Sequence, residues 1–165
     1  MQQIIGIDPG EKGAIAVLNV VEGTVCVDTI YDMPSKISEL VAIIRGISAN
    51  SHACIETPFT NTKGDADKEL AKLIRKLPLL ANYNRIIGMC AFHGIPIQSV
   101  APRTWQATFA VSGKRNGYTS IAQCLKVFPE CENLLIAEGH HYDGRSDALL
   151  IAKWKHLQIM TKSRY

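Results

Sequence analysis

Three short runs near the start of the chain alternate apolar and polar residues, over 3–7, 14–18 and 24–27, with turn residues Pro9-Gly10 and Glu22-Gly23 between them. A period of two puts the apolar side chains of a strand on one face, so these runs predict three consecutive strands in an antiparallel meander. Such a sheet needs a cover, and the rest of the chain supplies it. Residues 35–49 carry Ile37, Leu40, Val41, Ile44 and Ile47 at helical spacing, which gives one apolar face. A strand over 52–56 follows, then a helical pattern over 65–92 in which Pro78 suits the start of a second helix better than the interior of one, so a break or kink is expected there. A strand over 94–100, a helix over 120–128 and a last helix over 141–159, with Ala148, Leu149, Ile151 and Ala152 inward, complete the pattern. The order βββαβαβα, with one extra helix before the last, predicts an α/β fold: a mixed five-stranded sheet flanked by helices.

At 165 residues, 47% hydrophobic and 20% charged, the chain holds one sizeable core, so residues 1–165 are expected to form a single domain. No low-complexity tract or repeat divides it. No apolar run approaches the ~18–20 residues of a membrane span, and the chain opens on a strand pattern instead of a signal peptide, so a soluble, cytoplasmic protein is expected. Its five cysteines contain no CxxC pair, which argues against a disulfide framework or zinc site and for reduced thiols, mostly buried. The formal net charge of +3 is too small to identify a nucleic-acid partner by itself.

The chemistry lies in carboxylates at element ends. Asp8 ends the apolar run Ile4-Ile5-Gly6-Ile7 just before Pro9-Gly10. Alone it would be a turn cap. Glu56 ends the second apolar run, Ala53-Cys54-Ile55, where a partly buried charge is costly without a partner. Two strand-end carboxylates suggest a shared cation. Asp143 and Asp147 are four apart at the start of the last helix, so they lie on one of its faces. Asp143 also suits an N-cap, but Asp147 abuts the apolar run 148–152, where a purely solvated role fits badly. Phosphodiester hydrolysis needs an activated water and a stabilised leaving oxygen, which two Mg2+ ions ~3.5–4 Å apart provide. Hard cations of this kind, Mn2+ included, take carboxylate oxygens.

Ile-Gly-Ile-Asp-Pro-Gly at the start, Ile-Glu at 55–56 and Asp-Gly-Arg-Ser-Asp-Ala-Leu-Leu-Ile-Ala at 143–152 together resemble the RuvC family of four-way (Holliday) junction resolvases, especially its short phage-type members. The resemblance runs nearly end to end. It implies an RNase H-like fold, Asp8, Glu56, Asp143 and Asp147 as catalytic metal ligands, and in-line attack by water that leaves a 5′-phosphate and a 3′-hydroxyl. Bacterial members space the last two acids three apart where this chain spaces them four.

Phe59 matches the position of an aromatic residue that stacks on unpaired bases at the crossover, a contact of ~1–3 kcal/mol. A core Phe after the Pro58 turn is the alternative, and the exposed look of Asn61-Thr62-Lys63-Gly64 favours a DNA-facing role that Lys63 would share. By the same resemblance Arg103, Lys114 and Arg115 fall where the family places basic residues near the scissile phosphate, although Gln106 stands where members usually carry lysine. Lys68, Lys72, Arg75 and Lys76 share a helical face that is either phosphate-binding or simply solvated. His140 and His141 neighbour Asp143 but point apart, and are kept outside the site; Trp154 and Met160 are read as packing residues.

The expected activity is therefore Mg2+-dependent cleavage of branched DNA. Three other readings compete with it. An actin-like ATPase or sugar kinase also starts with strand, Asp turn and strand, but needs a second such domain. An inactive junction-binding protein would lack one of the acids, and all four are present. A related nuclease acting on RNA-containing substrates shares the same acids. A two-fold homodimer is expected from the symmetry of a four-way junction. Its interface is placed on 77–92, where Leu79, Leu80, Tyr83, Ile86, Ile87, Cys90 and Ala91 exceed what one covered face requires.

Overall fold

The computed structural model describes residues 2–48, 50–58, 66–111, 118–137 and 139–162, with backbone alone for 66–75 and 118. Strands β1 (Gln2–Asp8), β2 (Ala14–Val21), β3 (Thr24–Asp32), β4 (Ser51–Glu56) and β5 (Ile97–Val100) form one sheet in the order β3-β2-β1-β4-β5. The expected meander is present, with β1 to β3 antiparallel, and β4 and β5 add in parallel on the other side of β1. Parallel neighbours need crossovers, which α1 (Ile37–Gly46) and α2 (Ala66–Phe92) supply.

Period-two alternation splits the central strands between two cores. Ile5, Ile7, Ile15, Val17, Ala53 and Ile55 pack with Leu40 and Ile44 of α1 and Ile86 and Cys90 of α2. Ile4, Ala14, Ala16, Leu18 and Cys54 pack on the opposite face. Their partners there are Trp105 of α3 (Pro102–Thr108), Ile121 and Cys124 of α4 (Tyr118–Val127), Leu135 of α5 (Glu132–Leu135) and residues 148–152 of α6 (Asp143–Lys162). Each fully buried Ile or Leu contributes roughly 1.5–3 kcal/mol, so these two clusters outweigh the surface ion pairs in fixing strand order. The buried cysteines behave as apolar side chains, and burial pushes the thiols of Cys54 and Cys90 up to about 12 and about 11.

Three expectations change. Pro78 does not interrupt the second helical pattern: one helix runs from Ala66 to Phe92 with the proline inside it. The loss of one backbone bond at a proline is local, and the packing of Ile86 and Cys90 against the sheet holds the following turns. The last helix begins at Asp143, because His140–His141 (β7) pairs with Ile136–Ala137 (β6) as a separate small hairpin. The short α3 and α5 were not anticipated at all. Among the described residues, no helix is long and apolar enough to cross a membrane.

Candidate active site

The sheet's register makes neighbours of two acids 48 positions apart in the chain. Parallel pairing of β1 with β4 sets Ile7 opposite Ile55, one residue before Asp8 and Glu56 respectively. Adjacent strands lie ~4.8 Å apart, and by alternation both acids share the face of Ile4, Gly6 and Cys54, which is the face that α6 covers.

Glycines bring α6 down to that face. A Cβ on Gly6 would overlap the Ala148 carbonyl oxygen and the Ala152 backbone nitrogen, so strand and helix meet backbone to backbone. A Cβ on Gly144 would overlap the Lys12 carbonyl oxygen in the turn between β1 and β2. One turn of α6 is thereby pressed onto the loop that follows Asp8. Arg145 then clamps the helix start to the sheet edge: its Nε and one terminal nitrogen donate to the two carboxylate oxygens of Asp32 at 2.6 and 2.7 Å, and the other terminal nitrogen to the Leu134 carbonyl at 2.8 Å. Its guanidinium also lies 4.0 Å from the centre of the Tyr142 ring.

A protein donor engages one oxygen of each of the four acids. Gly10 N–H donates to Asp8 Oδ1 at 3.0 Å, Trp105 Nε1–H to Glu56 Oε2 at 2.7 Å, and Gly144 N–H to Asp143 Oδ1 at 3.0 Å. Ser120 Oγ donates to Asp147 Oδ1, and the buried Ser146 hydroxyl lies 3.0 Å from Ser120 Oγ. Burial first, and then the negative charges of Asp8, Glu56 and Asp143, push the Asp147 carboxyl up to about 7 against the opposing Ser120 bond. Asp147 of α6 thus feels the charges of Asp8 on β1, Glu56 on β4 and Asp143 at the start of its own helix.

An oxygen-only, mutually repelling set of acids has the chemistry that a hard divalent cation relieves. Among the described residues, however, no three His, Cys, Asp or Glu side chains gather closely enough to hold an ion together. Each acid instead has a protein donor on one of its oxygens.

Arg103 is exposed on α3, on the helix that carries Trp105. Phe59, Lys63, Lys114 and Arg115 lie outside the described residues, as do the side chains of Lys68, Lys72 and Arg75. His140 and His141 are exposed and line, with Glu11, Lys12, Asp32 and Asp143, a groove of about 380 Å³ beside the acids. Trp154 is buried and Met160 half-buried, as packing residues should be. Sequence reasoning missed Trp105, Ser120 and the Arg145–Asp32 pair; the one available signal was Trp105 itself, since a buried indole N–H needs an acceptor.

A mixed sheet in this order, three antiparallel strands followed by two parallel ones with helices on both faces, is the RNase H-like fold. Within it the fold of the chain is RuvC-like. It is similar to Thermus thermophilus RuvC (14% identity, 96% of each chain covered, TM-score 0.56). It is also similar to that protein in complex with Holliday junction substrate (15% identity, 96% of this chain and 97% of that one, TM-score 0.58). Fowlpox virus resolvase in complex with substrate Holliday junction DNA matches at 15% identity, 96% of this chain, 99% of the other and TM-score 0.59. No protein-family model and no curated protein matches the chain.

Proposed function

We propose that the protein is a metal-dependent DNA endonuclease that resolves four-way junctions. The observation that carries this reading is that β1, β4 and the start of α6 bring Asp8, Glu56, Asp143 and the half-buried Asp147 to one face of the sheet, on a fold similar to that of two junction resolvases. Asp8, Glu56, Asp143 and Asp147 would hold Mg2+, with Mn2+ as a substitute. The cation supplies charge neutralisation at the phosphate and a more acidic water. The chain's own residues support the site: Trp105 donates to Glu56, Ser120 to Asp147, and Arg145 ties the start of α6 to Asp32 at the end of β3.

Branched DNA is the proposed partner, contacted by Arg103 on α3 and by Phe59, Lys63, Lys114 and Arg115. Two like nicks in one junction favour a homodimer. Leu77 and Phe92, 57% and 84% exposed, mark the available part of α2, whereas Ile86 and Cys90 are turned into the core and withdraw from the interface expected from sequence.

The test is cleavage with Mg2+ of a mobile four-way junction beside a Y-fork, plain duplex and RNA–DNA hybrid. Paired nicks in the junction, lost in EDTA, are expected; preferential cutting of the hybrid would move the protein to the RNA-directed branch of the fold. Light scattering on the same preparation should give a dimer that Leu77→Asp with Phe92→Asp converts to a monomer.

A further inference from the structure

We infer that Trp105 is a positioning residue of the metal site, aiming Glu56 through its indole N–H. The inference rests on the reading of Glu56 as a metal ligand. Trp105 is fully buried, yet its one polar atom donates to Glu56 Oε2 at 2.7 Å, so the ring packs in the core while its nitrogen reaches the site.

The placement follows from the strands beneath it. Glu56 pairs in register with Val100, and Thr57 caps that pairing by donating both its N–H and its hydroxyl to the Val100 carbonyl, at 2.8 and 3.2 Å. The helix bearing Trp105 starts two residues later, at Pro102, so the end of β5 sets the distance between indole and carboxylate. Ile4, Cys54 and Ala148 belong to the same buried cluster as the ring, which is therefore anchored to the strands carrying Asp8 and Glu56 and to the helix carrying Asp147. A glutamate has three side-chain torsions, and an unanchored one would sample several rotamers. With Oε2 held by the indole, the orientation of Oε1 follows from the plane of the carboxylate. Donors that orient a ligand in this way typically change metal affinity by about 10–100-fold when removed.

Two variants test this. The chain has two tryptophans, so Trp154→Phe leaves Trp105 as the only one, reporting directly on the carboxylate it touches. Titrating that variant with Mg2+ should change the Trp105 emission, and adding Glu56→Gln should abolish the change. Trp105→Phe keeps most of the packing and removes the donor. It should raise the Mg2+ concentration for half-maximal cleavage about 10-fold or more while much of kcat returns at saturating Mg2+. An emission that ignores Mg2+ across the range that activates cleavage overturns the inference and leaves the nuclease reading standing. So does an unchanged Mg2+ requirement in Trp105→Phe. If that variant fails to fold, the emission titration decides alone. Cleavage that persists in EDTA, or at the wild-type rate in Glu56→Gln, removes both readings.

Discussion

The two ends of α6 carry opposite charge and meet opposite problems. Its first turns hold Asp143 and Asp147 around an Arg145 that is paired with Asp32; its later turns hold Lys153, Lys155, His156 and Lys162. Both ends obey the helix dipole, which favours acids at the start and bases at the end. Yet burial works against the charged form at each: Asp147 is pushed up, while Lys153, Lys155 and His156 are pushed down with burial as the first cause in every case. Dipole effects of about 0.3–1 kcal/mol do not offset the desolvation of a group packed against the sheet. Like charges add to the effect of burial at both ends, Lys162 on Lys155 and Lys153 on His156, but their number differs. Three further acids crowd Asp147, whereas Lys155 finds Gln98 Oε1 at 2.8 Å and lies beside the Cys54 thiol. The acidic end is left with a buried charge that a proton or a bound cation would relieve.

The strongest way to break this contrast is Asp147→Asn. Cleavage should fall by at least ~10²-fold, the scale of losing one preorganised electrostatic contact, while junction binding persists in a gel-shift assay. The metal-free variant should also melt higher than the wild type at pH 8, because the penalty of ionising residue 147 is gone. A wild-type cleavage rate would take the acidic end out of the chemistry.

Next in size is the pH dependence of stability without metal. The Asp147 carboxyl ionises at 3.8 in the unfolded chain and at about 7 in the folded one, so its contribution is fully present below the lower value and is lost as pH rises to the upper. The loss is on the order of 4 kcal/mol at most. Urea melts with EDTA should show stability declining between about pH 4 and pH 7, and Mg2+ should restore more of it at pH 8 than at pH 5. An equal Mg2+ increment at both would contradict the assignment.

His156 gives the smallest effect, with the reverse slope. It is 5% exposed, and its ring nitrogens make no hydrogen bond of ordinary geometry. Burial and then Lys153 hold its pKa down, more than the Gly23 backbone against it raises it. A base with a lowered folded pKa stabilises fully above its unfolded value of 6.5 and loses that contribution as pH falls. His156→Leu should therefore flatten the acid side of the stability profile without altering Mg2+-dependent cleavage at pH 8.

Asp8, Glu56 and Asp143 were legible because each ends or begins an element, and Asp147 because it follows Asp143 by four and abuts an apolar run; both signals are local. The antiparallel meander of the first three strands was legible for the same reason, whereas the place of β4 and β5 beside β1 was not read. What escaped reading was contact between residues far apart in the chain: Trp105 with Glu56, Ser120 with Asp147, and Arg145 with Asp32 join positions 49, 27 and 113 residues apart. No local pattern encodes such a distance. A break at Pro78 failed to appear for the complementary reason, since a strong local signal was overruled by packing elsewhere along α2. The convergence of the acids on a shared ion was also inferred more tightly from sequence than their own hydrogen bonds hold them.

Gly6 and Gly144 touch no phosphate and carry no charge, but they are the spacers that give the site its width. A methyl group at either position has nowhere to go except into backbone, so the helix would have to ride outward and carry Asp143 and Asp147 away from Asp8 and Glu56. The reach of the four carboxylates is therefore gauged by two hydrogen atoms, and a substitution as mild as alanine there would widen the space between them.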